Sequence, residues 1–450
     1  MNRKIMKIIY VAVFILLLAV PGVVTVFAPS EAVGNEEKAE LKDINYINAG
    51  KKFDDWFSQS FGLRNSLVNM NNSFKYAIFG QSGQDFVIAG KDGWLFYRSA
   101  LHDYSGEDVM SDADIAKTAR IIELMSDYVS SQGSKFVFAT APNKMEIYGE
   151  YMPYYCVEDR AEGNYEKLMK QLEDKNICYT DLKNVLRDKA SESSEIIYHR
   201  LDSHWNNLGA ATAFNAICDA AGYDNFDYTS LEYTVQNNFD GDLYAMLFPD
   251  GDKKDEQIVF ACEQNFQYTS RFMGNDDMLI QTENTAGSGS VKMFRDSFGN
   301  ALHWFFANEF AEACFTRELP YNLTDSGDYD IVVAEIVERN LSNILKYPPV
   351  MPAMVYDGKL PAQDSDAVAE VLWTDMDKYT KICIKSDDIP DECTDIFLET
   401  PDGILYTMYP QSGEYTAEAY LDNMSEEDRE GCHIVYYYKS AYYMAGLLEK

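Results

Sequence analysis

The stretch EIIYHRLDSHWNNLGAATAFNAICDAAG, residues 195–222, contains the unit that sets the fold class. Its first six residues predict a β-strand, and residues 206–222 predict an apolar helix that ends at a glycine. The polar segment between them carries Asp202 and His204. A strand, a polar loop and a helix in this order are typical of a parallel α/β sheet, in which ligands bind at the carboxyl ends of the strands.

The same alternation continues on both sides of this stretch. Further strands are predicted at 135–141, 291–299 and 329–340, and the helix ALHWFFANEF lies between the last two. Residues 225–285 fit the alternation poorly and are expected to form an insertion. The sequence therefore predicts an α/β body built on a parallel sheet.

Residues 365–450 have a different character. Their apolar residues alternate in period two between turn signals, which predicts a small antiparallel β-domain. The tyrosines of this segment are either sugar-stacking residues or ordinary strand residues; they are Tyr406, Tyr409, Tyr415 and Tyr420. Cys383, Cys393 and Cys432 are either buried thiols or the source of one disulfide bridge.

The N-terminus carries an apolar run. Ile8 to Ala28 is 21 residues long without a charge, enough for a helix of roughly 30 Å, the thickness of a bilayer's hydrocarbon core. Three cations precede the run and acidic residues follow it, which places the remainder of the chain outside the cytoplasm. We expect residues 1–28 to be a retained signal anchor, with a cleaved signal peptide as the alternative. Residues 29–44 are polar and suit a linker.

Composition narrows the class of ligand. The chain has 450 residues and a net charge of −35, from 73 acidic against 38 basic side chains. Such a chain is repelled by phosphate backbones, so a nucleic-acid partner is not expected, and neutral or sugar-like ligands are favoured. The eight cysteines form no CxxC pair and no zinc-like cluster with histidine, so a structural zinc site is not expected. No cofactor is predicted.

Two segments carry residues that suit nucleophilic catalysis. Ser297 lies in MFRDSFGNAL, where a strand gives way to a helix whose free N–H groups could stabilise an oxyanion. A serine hydroxyl needs a base, and a histidine oriented by a carboxylate is a suitable one, as His204 and Asp202 would be. Each of these two segments also has a simpler explanation. Asp-Ser is an ordinary helix cap, and Asp202 with His204 could bind a metal, although a third ligand is not evident.

Five motifs in order resemble a known family. They are GKDGWLFY (90–97), ATAPNKMEIYGEYMP (139–153), LDSHWNNLGA (201–210), MFRDSFGNAL (293–302) and DIVVAEIVERNL (330–341). Together they resemble the alginate O-acetyltransferase-like (AlgJ/AlgX-like) and DHHW group of SGNH-hydrolase-fold proteins. The resemblance implies a flavodoxin-like three-layer α/β/α sandwich over residues 45–355, circularly permuted so that the Asp-x-His segment precedes the serine.

The resemblance also implies roles for individual residues. Ser297 would be the nucleophile, His204 the general base and acid, and Asp202 its orienting carboxylate. Besides the Ser297 N–H, Arg339 or Asn340 is the candidate second oxyanion donor.

Two further residues, Asn143 and Lys144, either line the same cleft or are strand-end turn residues. One departure from the family pattern is Arg295, which stands where a glycine usually precedes Asp-Ser and adds a cation beside the nucleophile.

The implied function is that of an extracytoplasmic, membrane-anchored O-acetyltransferase that modifies a cell-surface or secreted polysaccharide through an acetyl-serine intermediate. No acetyl-CoA pool lies outside the cytoplasm, so the expected donor partner is a membrane-bound O-acyltransferase and the expected acceptor is a polysaccharide. Two alternatives stay open. One is an SGNH-type carbohydrate esterase with water as the acceptor, and the other is a non-catalytic polysaccharide-binding or assembly protein.

Overall fold

The computed structural model of the chain describes residues 3–27, 49–156 and 162–449. The linker predicted at 29–44 lies outside these residues. The first described segment, Arg3–Phe27, is one helix with a mean hydropathy of 2.7, and it is long and apolar enough to cross a membrane. The N-terminal apolar helix is therefore a candidate for the predicted span.

The helices and strands follow one another in chain order. Up to the stretch quoted above they are α1 (Arg3–Phe27), α2 (Ala49–Ser60), α3 (Arg64–Phe79), β1 (Val87–Ala89), β2 (Leu95–Tyr97), α4 (Leu101–Tyr104), α5 (Asp112–Ser131), β3 (Lys135–Ala141), α6 (Lys144–Ile147), α7 (Asn164–Glu173), β4 (Tyr179–Thr180), α8 (Leu182–Glu192) and α9 (Asn207–Ala221).

After it come β5 (Tyr233–Phe239), α10 (Asp242–Leu247), β6 (Asp255–Phe260), β7 (Gln267–Tyr268), β8 (Leu279–Glu283), β9 (Ser290–Phe294), α11 (Gly299–Glu309), β10 (Glu312–Thr316), β11 (Ile331–Val337), α12 (Ser342–Lys346), β12 (Gln363–Asp375), β13 (Tyr379–Lys385), β14 (Ile396–Glu399), β15 (Leu405–Pro410), β16 (Ala417–Asp422), α13 (Glu426–Arg429), β17 (His433–Tyr438) and β18 (Ala441–Glu449).

A seven-stranded sheet forms the centre of the α/β body, in the order β4-β3-β11-β9-β10-β8-β7. The strands from β4 to β10 in this order are parallel, whereas β8 pairs antiparallel with β10 and with β7. Every residue of β11 is buried, as expected of a parallel strand that is covered on both faces. The carboxyl ends of β9 and β11 lie side by side at one edge of this sheet.

Alternate side chains of the strands pack into two cores. In β11, Val333 and Val337 contact the core shared with α8, α9 and α11. Val332 and Ala334 contact the core shared with α5, α7 and α12. The predicted three-layer α/β/α sandwich is therefore confirmed, while its circular permutation stays a prediction.

The prediction of a strand at 195–200 is wrong. Only an isolated bridge forms there, between Tyr198 and Trp205, because the chain reverses direction at 200–203 and pairs with itself. The N–H of Asn206 donates to the Ile197 carbonyl at 3.0 Å, which leaves no edge of this segment for the central sheet. The apolar residues that suggested a strand are buried in a tight loop instead.

The predicted insertion at 225–285 is only partly separate from the sheet. Its β5 and β6 form a two-stranded hairpin, but β7 and β8 extend the edge of the central sheet beyond β10. Antiparallel pairing needs no crossover helix, which is why this segment did not show the alternation of strands and helices.

The C-terminal segment folds as a closed seven-stranded barrel, β12-β13-β16-β15-β14-β17-β18. Its neighbours are antiparallel, as predicted, except that β12 and β18 close the barrel in parallel. Tyr409 and Tyr420 are buried where the barrel packs against the core of α5 and α12, so these two tyrosines have a packing role. All eight cysteines are free thiols.

Candidate active site

Ser297 lies in the turn that joins β9 to α11. Both oxygens of the preceding carboxylate, Asp296, hold this turn: they accept the Phe298 N–H at 2.9 Å and the Val337 N–H at 2.8 Å. The second bond ties the turn to the end of β11. The N–H of Ser297 makes no hydrogen bond to the described residues, so it is free to donate to an oxyanion.

His204 joins Ser297 to Asp202 through its two ring nitrogens. Its Nε2 lies 2.8 Å from Ser297 Oγ, and its Nδ1 lies 2.7 Å from Asp202 Oδ1. Burial lowers the pKa of His204, but the hydrogen bond and charge of Asp202 outweigh it, so this pKa lies above its ordinary value. Burial raises the pKa of Asp202, and the hydrogen bond from His204 reverses this and holds it well below its usual range. Asp202 therefore stabilises the imidazolium that would form when His204 takes a proton.

Aromatic packing fixes the base and the nucleophile relative to each other. The Phe298 ring meets the His204 ring edge to face at 4.9 Å between centroids. Trp205 packs against the same phenylalanine and donates from Nε1 to its carbonyl at 3.1 Å. Each catalytic candidate is thus followed in sequence by an aromatic residue that holds the other in place.

Asp242, the first residue of α10, is a second carboxylate that sequence reasoning missed. Its N–H donates to Asp202 Oδ2 at 2.8 Å, and its own oxygens accept the N–H and hydroxyl of Ser203 at 2.8 and 2.6 Å. Burial and the charge of Asp202 raise the pKa of Asp242 to about 6. The one sequence signal for this contact was the glycine before it, Gly241. A Cβ at this position would lie only 2.4 Å from the Leu201 carbonyl oxygen, so the close approach of α10 requires glycine.

Asp242 also supplies the third ligand that a metal site on this loop would need. One donor atom each of Asp202, His204 and Asp242 lies within 4.8 Å of the others. These donors already have partners, since Asp202 Oδ1 accepts from His204 and Asp242 accepts from Ser203. The hydrogen bonds therefore account for the arrangement without an ion.

Lys144 lies beneath the loop of Asp202 and His204 and is 4% exposed. Its ammonium donates to the carbonyl oxygens of His199 at 3.0 Å, Arg200 at 3.3 Å and Asp202 at 2.6 Å. Burial lowers the pKa of Lys144 to about 8. All three contacts are with backbone, so this lysine supports the loop from below.

Asn143 and Arg339 join each other beside the nucleophile. Arg339 Nη1 donates to Asn143 Oδ1 at 3.1 Å, and the guanidinium lies 5.6 Å from the centroid of the Phe298 ring. Asn143 also donates from Nδ2 to Asp103 Oδ2 at 3.1 Å. Asn340 is half-buried, and its side chain makes no hydrogen bond to the described residues. Of the two candidate second oxyanion donors, Arg339 is the one connected to the site.

Arg295, the departure from the family pattern, is buried, and its Nη1 donates to the Asp296 carbonyl at 3.3 Å. Its guanidinium donates to Asn300 Oδ1 at 2.5 Å and to the carbonyls of Asn275 and Asp277 at 2.9 Å each. It is 2% exposed, and burial lowers its pKa to about 10. This cation fastens the 275–277 loop and adds no exposed charge next to Ser297.

Comparison with protein families finds a match for residues 87–271, to the family described as SGNH hydrolase-like domain, acetyltransferase AlgX. This range includes Asp202, His204 and Asp242 and ends before Ser297. The place of the serine in the site therefore comes from the geometry.

Curated relatives include the probable alginate O-acetylase AlgJ of Pseudomonas putida, 23% identical over 36% of this chain and 41% of the relative. Another is the same protein of Pseudomonas syringae pv. tomato, 25% identical over 46% of this chain and 50% of the relative. The chain thus matches half or less of the length of these relatives.

Similar solved structures include a DHHW family protein from Eubacterium siraeum, with a TM-score of 0.44 and 18% identity over 59% of this chain and 96% of the other. The O-acetyltransferase domain of Pseudomonas putida AlgJ is also similar, with a TM-score of 0.38 and 19% identity. The match covers 57% of this chain and 92% of that domain.

Proposed function

Because this chain is an AlgJ/AlgX-like member of the SGNH family, we propose that it is a polysaccharide O-acetyltransferase that works through an acetyl-Ser297 intermediate. The observation that carries the proposal is the continuous hydrogen-bond chain from Asp202 through His204 to Ser297. This order of carboxylate, imidazole and hydroxyl is what a serine needs to become a nucleophile at neutral pH.

In the first half-reaction, Ser297 Oγ attacks the carbonyl carbon of an acetyl donor while His204 Nε2 takes the hydroxyl proton. Asp202 stabilises the imidazolium that forms. The donor's C–O or C–S bond then breaks, and the leaving group receives the proton from His204, which leaves acetyl-Ser297. The free N–H of Ser297 would hold the oxyanion.

In the second half-reaction, a sugar hydroxyl takes the place of the leaving group. His204 removes its proton as the sugar oxygen attacks the acetyl carbon, and the proton returns to Ser297 Oγ as that bond breaks. The products are an O-acetyl sugar and the free enzyme. An esterase would use the same groups with water as the acceptor, so transfer depends on the acceptor outcompeting water.

Arg339 is the proposed second oxyanion donor. Its guanidinium is already held by Asn143 and by the ring of Phe298, next to the nucleophile. A fixed donor costs no reorganisation when charge develops on the substrate oxygen. Asn143 would then be a positioning residue for Arg339.

The proposed setting is the outer face of a cell membrane, with α1 as the anchor. Because no acetyl-CoA pool lies there, the donor would be loaded by a membrane-bound O-acyltransferase, and the acceptor would be a cell-surface or secreted polysaccharide. A non-catalytic binding protein would have no need of the hydrogen bond between His204 and Ser297.

The test uses the full chain in detergent, mixed with a chromogenic acetyl ester and followed by peptide mass spectrometry. We expect a burst of product with an acetyl group on the peptide that contains Ser297. Both should be absent in Ser297→Ala and in His204→Ala. A folded wild-type protein with no burst and no adduct would contradict the proposal. Added glycans then separate transferase from esterase, because only a transferase passes the acetyl group to them.

A further inference from the structure

A cleft of about 380 Å³ opens between α9, α11 and the segment 259–275. Six of its lining residues carry the argument below: Asn207, Tyr268, Phe272, Asn300, His303 and Trp304. Nothing in the proposed acyl transfer uses these side chains, so the cleft needs its own explanation.

The cleft begins three residues along the chain from each of the two reacting groups. Asn300 lies on the first turn of α11, and its N–H donates to the Ser297 carbonyl at 3.2 Å. Asn207 is the first residue of α9, three positions after His204. Asn300 and Asn207 thus connect the cleft to the two turns that carry Ser297 and His204.

The walls combine flat aromatic rings with side-chain amides. Tyr268 and Phe272 stack at 3.9 Å between centroids, with their planes 8° apart, and Trp304 on α11 lies half-exposed in the same cleft. Sugar rings present apolar C–H faces and hydroxyl edges. Aromatic faces suit the former, and amide groups suit the latter. Arg295 and Asp276 already hold the Asn300 amide, whereas Asn207 donates from Nδ2 to the Ile258 carbonyl at 2.8 Å and its Oδ1 accepts no hydrogen bond from the described residues.

The cleft carries no charge. None of its lining residues is Asp, Glu, Lys or Arg, and burial lowers the pKa of His303 to about 4, so this imidazole is neutral at pH 7. Arg295 is the cation bonded to this region; it is 2% exposed, and its two terminal nitrogens already donate to Asn300 and to the 275–277 loop. A sugar carboxylate would therefore enter without a cation to pair with, in a chain of net charge −35.

We propose that this cleft binds an uncharged sugar unit of the acceptor glycan and presents one of its hydroxyls to acetyl-Ser297. The presentation of the hydroxyl to acetyl-Ser297 rests on the proposed transferase function. The binding of the sugar in the cleft needs no acetyl group. It distinguishes this chain from relatives whose names refer to alginate, a polymer of anionic sugars.

The experiment measures binding to the full Ser297→Ala chain in detergent by calorimetry. The probes are cellohexaose, mannohexaose and the N-acetylglucosamine hexamer as neutral glycans, and a mannuronate hexamer as the anionic one. We expect a neutral hexamer to bind at least about tenfold more tightly than the mannuronate hexamer. Adding Trp304→Ala or Phe272→Ala should weaken that binding by about tenfold or more, as loss of an aromatic anchor does. The matched control is Tyr437→Ala, an aromatic residue on the barrel that is 38% exposed.

Three results would overturn the proposal: equal or tighter binding of the mannuronate hexamer, no binding of any neutral hexamer, or binding that neither cleft substitution changes. Two cleft variants are used because Trp304 also packs against Tyr228, whereas Phe272 lies on a loop. Failure of the acetyl-enzyme test with intact neutral-glycan binding would count against the transferase and leave the cleft assignment standing.

Helix α3 supports a second, independent inference because one of its exposed faces is apolar. Four residues at helical spacing form this face: Leu67, Met70, Phe74 and Ile78 are 42%, 65%, 59% and 58% exposed. The inward face carries Asn72, which is fully buried and donates to the Leu247 carbonyl at 2.6 Å. A helix that exposes its apolar face to water is unfavourable unless that face is covered.

The position of α3 indicates what covers it. The N–H of Gly62, two residues before α3, donates to Thr25 Oγ1 at 2.7 Å, and Thr25 lies in the last turn of the apolar helix α1. If α1 spans the bilayer, its last turn lies at the membrane surface, where an interfacial helix buries its apolar face. We infer that α3 lies on that surface with this apolar face in lipid, an inference that rests on the proposed anchor.

The test places a photoreactive phenylalanine analogue at Phe74. The control places it at the exposed Ser73, on the edge of the apolar face. In both cases the full chain is embedded in nanodiscs of phosphatidylglycerol and phosphatidylethanolamine. We expect lipid adducts from position 74 by mass spectrometry and at least about fivefold fewer from position 73. Adducts to protein, or equal lipid adducts from both positions, would overturn the inference. A chain that does not insert into nanodiscs at all would instead count against the anchor, and with it this inference.

Discussion

The protonation of His204 sets the pH dependence of the proposed chemistry. His204 accepts the Ser297 proton only when it is neutral, and Asp202 raises its pKa above the ordinary value of 6.5. We expect kcat/KM for a chromogenic acetyl ester to rise with pH through an apparent pKa above 6.5. Asp202→Asn removes the strongest influence that raises this pKa, while burial still lowers it and the weaker charge effect of Asp242 remains. The midpoint should therefore move to lower pH while the rate falls about 10³-fold or more. An unchanged midpoint in this variant would contradict the assigned pair.

A second prediction concerns metal binding by Asp202, His204 and Asp242. Because hydrogen bonds already satisfy these groups, dialysis against EDTA should leave esterase activity within about twofold of the untreated protein. Metal content measured on the same samples provides the control. Loss of activity that added Zn²⁺ restores would show that the loop is a metal site.

At the level of single elements, Lys144 supports the loop that carries the base. Lys144→Met removes three hydrogen bonds to backbone carbonyls, and we expect it to lower the free energy of unfolding by about 2–4 kcal/mol. The measurement is urea denaturation followed by fluorescence. Lys170→Met is the matched control, because its ion pair with Glu162 is exposed and should contribute less than about 1 kcal/mol. Equal effects of the two substitutions would contradict this role of Lys144.

At the level of the whole molecule, the barrel and the α/β body share one core. Tyr409 of β15 is 1% exposed, donates its hydroxyl proton to the Met351 carbonyl and packs into the core of α5 and α12. We expect calorimetry to show one cooperative unfolding transition for both parts. Tyr409→Ala should lower the free energy of unfolding by about 3–5 kcal/mol and separate the transition into two. Two transitions in the wild-type chain would contradict the shared core.

The sequence predicted those parts of the site that have a local signature. Ser297 was a candidate because a strand, an Asp-Ser pair and a glycine-initiated helix follow one another directly, and His204 because Asp202 is two residues away; the family resemblance then implied their roles. Asp242 had no comparable signature. It reaches the site because Gly241 allows α10 to pack against the carbonyl of Leu201, a contact between segments 40 residues apart.

Helices and strands likewise differ in whether the local sequence predicts them or a distant segment places them. Periodicity predicted β3, β9, β11 and the barrel strands, because a strand buried on both faces or alternating between core and solvent leaves a local pattern. It failed at 195–200, where the apolar residues pair within their own loop, and for β7 and β8, whose place at the sheet edge depends on a distant partner.

Local chemistry thus predicted the α/β class, a C-terminal β-domain and the apolar N-terminal helix, and it proposed the serine, histidine and aspartate as the catalytic residues. Long-range packing settled how these parts meet: the burial of Arg295 against the 275–277 loop, the position of Lys144 under the loop and the uncharged cleft bordered by Asn207 and Asn300. The physical reason is that backbone periodicity and turn chemistry act between neighbours in the chain, whereas burial, pKa shifts and side-chain partners depend on which distant segments fold against each other.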